Sequence, residues 1–174
     1  MATVQPGEVA GMIVTATSAV FGTMLNLPLQ AQGPHQEPVH PATYDGVVAL
    51  IGVAGPWTGT GRISCSAEFA CAMAGALLMS SYESVDEEVM DAVAEVSNMV
   101  IGNVKTLLEE RVGPLGLSLP AVIYGRSYKT RSAGVMEWTV VPFLCGAETL
   151  EVRFNLIETP RGAGPMMRPE LLHV

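Results

Sequence analysis

The chain has 174 residues, 49% of them hydrophobic and 15% charged, which suits one substantial core and argues against a disordered chain. A formal net charge of −8 argues against nucleic acid or an anionic membrane surface as the main partner. Three cysteines without a close pair (Cys65, Cys71 and Cys145) read as buried reduced thiols of a cytoplasmic protein. Zinc spacing is absent, and His35, His40 and His173 fall in segments that read as loop or tail.

The first element is an amphipathic helix over residues 8–26. Val9, Met12, Ile13, Ala16, Ala19, Val20, Thr23 and Met24 follow its period, and Leu27-Pro28 ends it. The apolar run 11–29 does not read as a signal peptide, because the first basic residue is Arg62. Nor does it read as a membrane span, because threonines and glycines interrupt it. Residues 28–43, with Pro28, Pro34, Pro38 and Pro41, read as an irregular connector. Residues 46–55 (GVVALIGVAG) predict a strand, 56–60 its turn and 61–66 its antiparallel partner. Ser66 then caps a helix over 67–80 that is apolar on nearly all sides and is expected to be largely buried.

A long helix follows over residues 84–111. Ser84 and Glu87 have the spacing of a capping box, and Gly113-Pro114 stops the helix. Val85, Val89, Val93, Val96, Val100, Val104 and Leu107 form its apolar stripe. On the opposite side Asp91, Glu95 and Asn98 stand at i, i+4 and i+7, within about 60° of one another around the axis. Gly102, Lys105 and Glu109 continue that line. A mid-helix glycine costs about 1 kcal/mol relative to alanine, and no cap explains this one. Clearance for another molecule beside the Asn98 amide is one reason to keep it; a solvated polar face with a packing glycine is the other reading.

Three strand-like segments come last, at 118–125, 134–144 and 148–157, with 126–131 (RSYKTR) as a basic hairpin tip that is either solvated or meets a partner. Residues 159–174 read as a loosely ordered tail. The order α-β-β-α-α-β-β-β segregates helices from strands. It predicts an α+β fold, an antiparallel sheet with long helices packed on it, forming one domain over residues 1–158.

Few enzyme signatures survive. Gly59-Thr60-Gly61 lacks a third glycine and reads as a turn; Ser64 and Ser66 have no histidine in the ordered part; no ligand set suffices for a tight metal site. Asp91 and Glu95 could form an acid/base pair, but an exposed surface leaves such groups ordinary. An exposed amide suits another task. Asn98 cannot act as a base, yet its carboxamide can hold a water in a chosen direction. Hydrolysis of an acyl phosphate needs in-line positioning above all, and Glu95 could pair with a lysine on the molecule bearing the phosphate.

Glu95-Val-Ser-Asn98, with Asp91 four residues ahead, resembles the Asp/Ser-x-x-x-Glu-x-x-Asn signature of the CheC/CheX chemotaxis phosphatases. The run from Glu95 to Asn103, the Gly59-x-Gly61-x-x-x-x-Ser66 stretch, Leu119-Pro120 and Val141-Pro142-Phe143 are similar to CheX-like domains, over roughly residues 8–158. The resemblance implies a CheC/CheX-like fold and hydrolysis of the aspartyl phosphate of a CheY-like response regulator. Asn98 would orient the attacking water and Glu95 would dock a regulator lysine. Asp91, Gly102 and Lys105 are expected to meet the partner. No cofactor of its own is implied; the Mg2+ would be the regulator's. One copy of the motif favours the CheX type, which implies a homodimer joined through sheet contacts. The alternative is a non-catalytic CheX-like binding or scaffold module of a two-component or flagellar-switch system.

Overall fold

The computed structural model describes residues 4–38, 42–130 and 137–160. In chain order the elements are helix α1 (Pro6–Thr23), short strands β1 (Gln30–Ala31) and β2 (His35–Pro38), and the hairpin β3 (Ala42–Ala54) and β4 (Trp57–Cys65). Helices α2 (Ala67–Leu78) and α3 (Glu87–Val112) follow, then β5 (Gly116–Leu117), β6 (Ala121–Thr130), β7 (Glu137–Cys145) and β8 (Glu148–Glu158). The strands make one sheet in the order β1-β7-β8-β4-β3-β5, with β2 also on β7 and β6 also on β3. Each pairing is antiparallel. The α+β expectation holds: helices and strands are segregated, and the three helices share one side of the sheet.

The core lies between those layers. Val47, Ala49, Ile51 and Val53 alternate along β3 toward the helices, joined by Ile63, Val141, Phe143, Val152 and Phe154 from the neighbouring strands. Helix α3 packs against both α1 and α2. Phe21 of α1 stacks on Phe69 of α2, with centroids 6.2 Å apart. Val89, Val93, Val96, Val100 and Val104 are buried as their spacing predicts. Leu108 completes the stripe in place of Leu107, which is half-buried, and Ala92, Ser97 and Ile101 widen it.

Helix α3 is capped by Asp86, not by Ser84. The Asp86 carboxylate accepts from the Val89 amide at 2.9 Å, and Glu87 and Glu88 fill the first turn, where the helix dipole favours anions. Gly113 ends α3 at φ +84, as the Gly-Pro pair predicts. Helix α1 starts and stops earlier than its apolar pattern suggests. Pro6 opens it, the Gln5 amide donates to Glu8 Oε2 at 3.1 Å, and its last residue is Thr23.

The segment 28–43 is more than a connector. It contributes β1 and β2, paired to β7 at the sheet edge, and so places His35 in a strand; His40 and His173 lie outside the described residues. An edge strand exposed on both faces needs no apolar alternation and tolerates Pro38, so the segment carries no strand pattern. The basic stretch is likewise strand, not a tip. Residues up to Thr130 pair with β3 past a bulge at Tyr44/Gly46, where the Ser127 amide donates to Asp45 Oδ1 at 2.7 Å; residue 131 lies outside the described residues.

Gly59-Thr60-Gly61 is not a turn but lies within β4, the turn being Gly55-Pro56 alone. A Cβ on Gly61 would stand 2.6 Å from Ile101 Cδ1, and one on Gly59 2.0 Å from the Asn155 carbonyl oxygen. These glycines let α3 and β8 approach the strand. Helix α2 is capped by Ser66 as predicted, its Oγ accepting from the Phe69 amide at 3.0 Å. It is not largely buried, however: only Phe69, Ala70, Met73 and Ala74 are. Small alanines give it one narrow packed face beside α3 and leave the rest outward. Thr159, placed in the tail from sequence, is held by bonds to the Gly55 and Pro56 carbonyls; residues 161–174 lie outside the described residues. Among the described residues no helix is long and apolar enough to cross a membrane.

Candidate functional site

The valine stripe fixes which way α3 turns its polar side. With Val93, Val96 and Val100 against the sheet, Asp91, Glu95 and Asn98 are left exposed to solvent on the opposite side. Among the described residues none of these three side chains has a hydrogen-bond or ion-pair partner. An exposed amide and two free carboxylates thus stand on a helix of 26 residues that is capped at both ends and packed along its length.

Gly102 is half-buried one turn beyond Asn98. A Cβ there would meet nothing nearer than Leu117 Cδ1, at 4.0 Å. Packing therefore does not demand the glycine, in contrast to Gly59 and Gly61. A methyl group at Gly102 would make an ordinary contact with Leu117.

Lys105 is engaged within the molecule. Its Nζ stands 2.9 Å from Glu109 Oε2 and donates to the Leu115 carbonyl, while the Leu115 amide donates to Glu109 Oε1 at 2.8 Å. The Leu115 amide and the Lys105 ammonium together hold the Glu109 carboxyl below its ordinary value. This cluster ties the end of α3 to the chain beyond Gly113. It separates Lys105 from the freely exposed residues nearer the middle of the helix.

Asp91 and Glu95 do more than flank Asn98. Together with Glu88 they form the acidic side of a groove of about 570 Å³ whose other side is Leu77, Leu78 and Tyr82. The sequence reading missed this groove because it took α2 as buried. The signal was present in Leu77-Leu78-Met79-Ser80, an apolar run continuing to a helix end with no glycine stop.

Cys65 offers no nucleophile. Burial pushes Cys65 up to about 12, so it stays protonated. Cys71 and Cys145 are half-buried, not buried as expected, and Cys71 is also pushed up, first by burial and then by the nearby carboxylates Asp86 and Glu68. Among the described residues no group of three or more His, Cys, Asp or Glu side chains could hold a metal ion. What remains is an outward amide with a carboxylate one turn away, able to orient a water and to pair with a cation on another molecule.

Comparison with known proteins bears on the family and the fold. Residues 47–144 match the family described as chemotaxis phosphatase CheX. The CheY-P phosphatase CheX of Thermotoga maritima is 31% identical over 91 residues, which is 52% of this chain and 59% of that protein. Less than two thirds of that relative's length is therefore matched. The crystal structure of a chemotaxis protein CheX from Desulfovibrio desulfuricans superposes with a TM-score of 0.75 at 26% identity, covering 86% of this chain and 99% of that one. The CheX-CheY-BeF3-Mg+2 complex from Borrelia burgdorferi aligns with a TM-score of 0.73 at 26% identity, over 85% of this chain and 97% of that one.

Proposed function

The chain belongs to the CheX family of chemotaxis phosphatases, and from that premise we propose that it hydrolyses the aspartyl phosphate of a CheY-like receiver domain. The observation that carries the proposal is the Glu95–Asn98 pair: exposed, without partners among the described residues, and set on a rigid helix one turn before Gly102, where no side chain stands.

In this mechanism Asn98 enters the receiver's phosphorylation pocket. Its carboxamide oxygen accepts a hydrogen bond from a water and holds it in line with the phosphorus–oxygen bond to the aspartate. The water oxygen attacks phosphorus, the acyl oxygen leaves as the aspartate carboxylate, and inorganic phosphate departs. Glu95 pairs with a lysine of the receiver, while Asp91 and Gly102 lie under the docked surface. The magnesium ion is the receiver's, and this chain brings no cofactor of its own. Lys105 contributes by fixing the end of α3. Support for the partner comes from the Borrelia burgdorferi relative, whose structure is a complex with CheY. Homodimerisation and a cytoplasmic location belong to the same proposal.

Phosphate release from a phosphorylated receiver, with and without this protein, tests it. The wild-type chain accelerates release, and Asn98→Ala returns it to the receiver's own rate. A wild-type chain that binds the receiver yet leaves that rate unchanged would identify a binding module without turnover.

A further inference from the structure

Helix α2 ends in an unusual way. Its cap, Met79, sits in the left-handed region at φ 52 and ψ 45, where glycine or asparagine is the common residue. Met79 is 93% exposed and Leu78 before it 46% exposed. A bulky residue held in a strained backbone conformation with its side chain in water contributes little to the fold. Leu78 stands at the groove between α2 and α3. Leu78 and Ser80 line it, and Met79 lies between them in the chain.

The groove is two-sided. One wall is apolar, with Leu77, Leu78 and the ring of Tyr82; the other carries Glu88, Asp91 and Glu95, and no basic residue lines it. The Tyr82 hydroxyl donates to Glu88 at 2.7 Å, which fixes one end. Asp91 and Glu95 are free to accept cations. Glu95 is both part of this wall and the residue assigned to the receiver's lysine, so a receiver held there lies over the groove's mouth.

We propose that this groove is a second docking site for the receiver domain, taking an apolar side chain flanked by Lys or Arg from the surface beside the phosphorylation pocket. The proposal rests on the phosphatase reading and deepens it: Asn98 carries turnover, whereas Leu78 and Met79 carry affinity. Charge complementarity selects the basic flanks, and the flexible thioether of Met79 suits an apolar contact that must adapt.

The test uses the receiver whose phosphate the wild-type chain releases, in two assays: steady-state phosphate release, and calorimetric binding of the same receiver loaded with beryllofluoride. Met79→Gly and Leu78→Ser are compared with a control, Ile157→Ser, which removes a side chain of similar exposure (50%) elsewhere. Each groove variant is expected to raise KM and Kd about five- to tenfold while kcat holds, as loss of an interface anchor does. The control changes neither. Met79→Gly keeps or raises the thermal midpoint, because glycine suits the left-handed cap, so weakened binding in it cannot be misfolding. Unchanged KM and Kd in both variants, with Asn98→Ala still inactive, overturn the groove and leave the phosphatase reading standing. A changed oligomeric state in Leu78→Ser with Kd unchanged assigns the groove to a second copy and overturns it too. A wild-type chain that neither binds a loaded receiver nor releases phosphate from one overturns both.

Discussion

Asn98 and Gly102 share one face of one helix, yet substitution at each is expected to move stability and activity differently. Gly102→Ala adds a methyl that meets only Leu117, at a comfortable 4.0 Å, and should stabilise the chain by about 1 kcal/mol through helix propensity. If the clearance serves docking, the same change slows phosphate release; a urea titration beside the release assay reads both signs. Glu95→Gln keeps the side chain's shape and removes its charge. It should weaken binding to a receiver loaded with beryllofluoride by about 1–3 kcal/mol and flatten the salt dependence that calorimetry reads for the wild type. Much of this was legible, because spacings of four and three place Asp91, Glu95 and Asn98 together without any tertiary knowledge. The bond from Lys105 to Leu115 was not, since it depends on how the chain folds back after Gly113.

At the scale of elements, the site is only as precise as α3. The cap is the least redundant part of that rod, and its assignment can be checked directly. Asp86→Ala should cost about 1 kcal/mol of unfolding free energy and Ser84→Ala less than about 0.5, as measured by chemical denaturation. The valine period announced the helix and its buried side. Ser84 was read as the cap because Glu87 stands three residues on, whereas Asp86, with Val89 at that spacing, shows no capping box in the sequence. The glycines of β4 were misread for a related reason. A glycine that opens a turn and one that admits Ile101 look alike until the helix is laid on the sheet. Strands β1 and β2 were hidden because an exposed edge need not alternate.

For the whole molecule, segregation of helices and strands along the chain was enough to give the α+β architecture, whereas the strand order, with β7 and β8 inserted between the edge and β4, was not. Residues far apart in sequence close that sheet: Arg153 on β8 reaches Glu37 of β2 at 2.8 Å and also pairs with Glu151, joining the N-terminal edge to the C-terminal hairpin. The resulting platform supports α3 from below and leaves its polar face to another molecule. The proposed active site is therefore divided between two proteins, this one giving an amide and a carboxylate, and the receiver giving phosphoaspartate, lysine and magnesium. Inorganic phosphate release from a phosphorylated CheY-like receiver, followed in the presence of magnesium with the wild-type chain and with Asn98→Ala, tests that division most directly. The account predicts acceleration by the wild type and a loss of at least about 100-fold in Asn98→Ala, which remains folded and still binds the loaded receiver. Release at the wild-type rate by Asn98→Ala would contradict it.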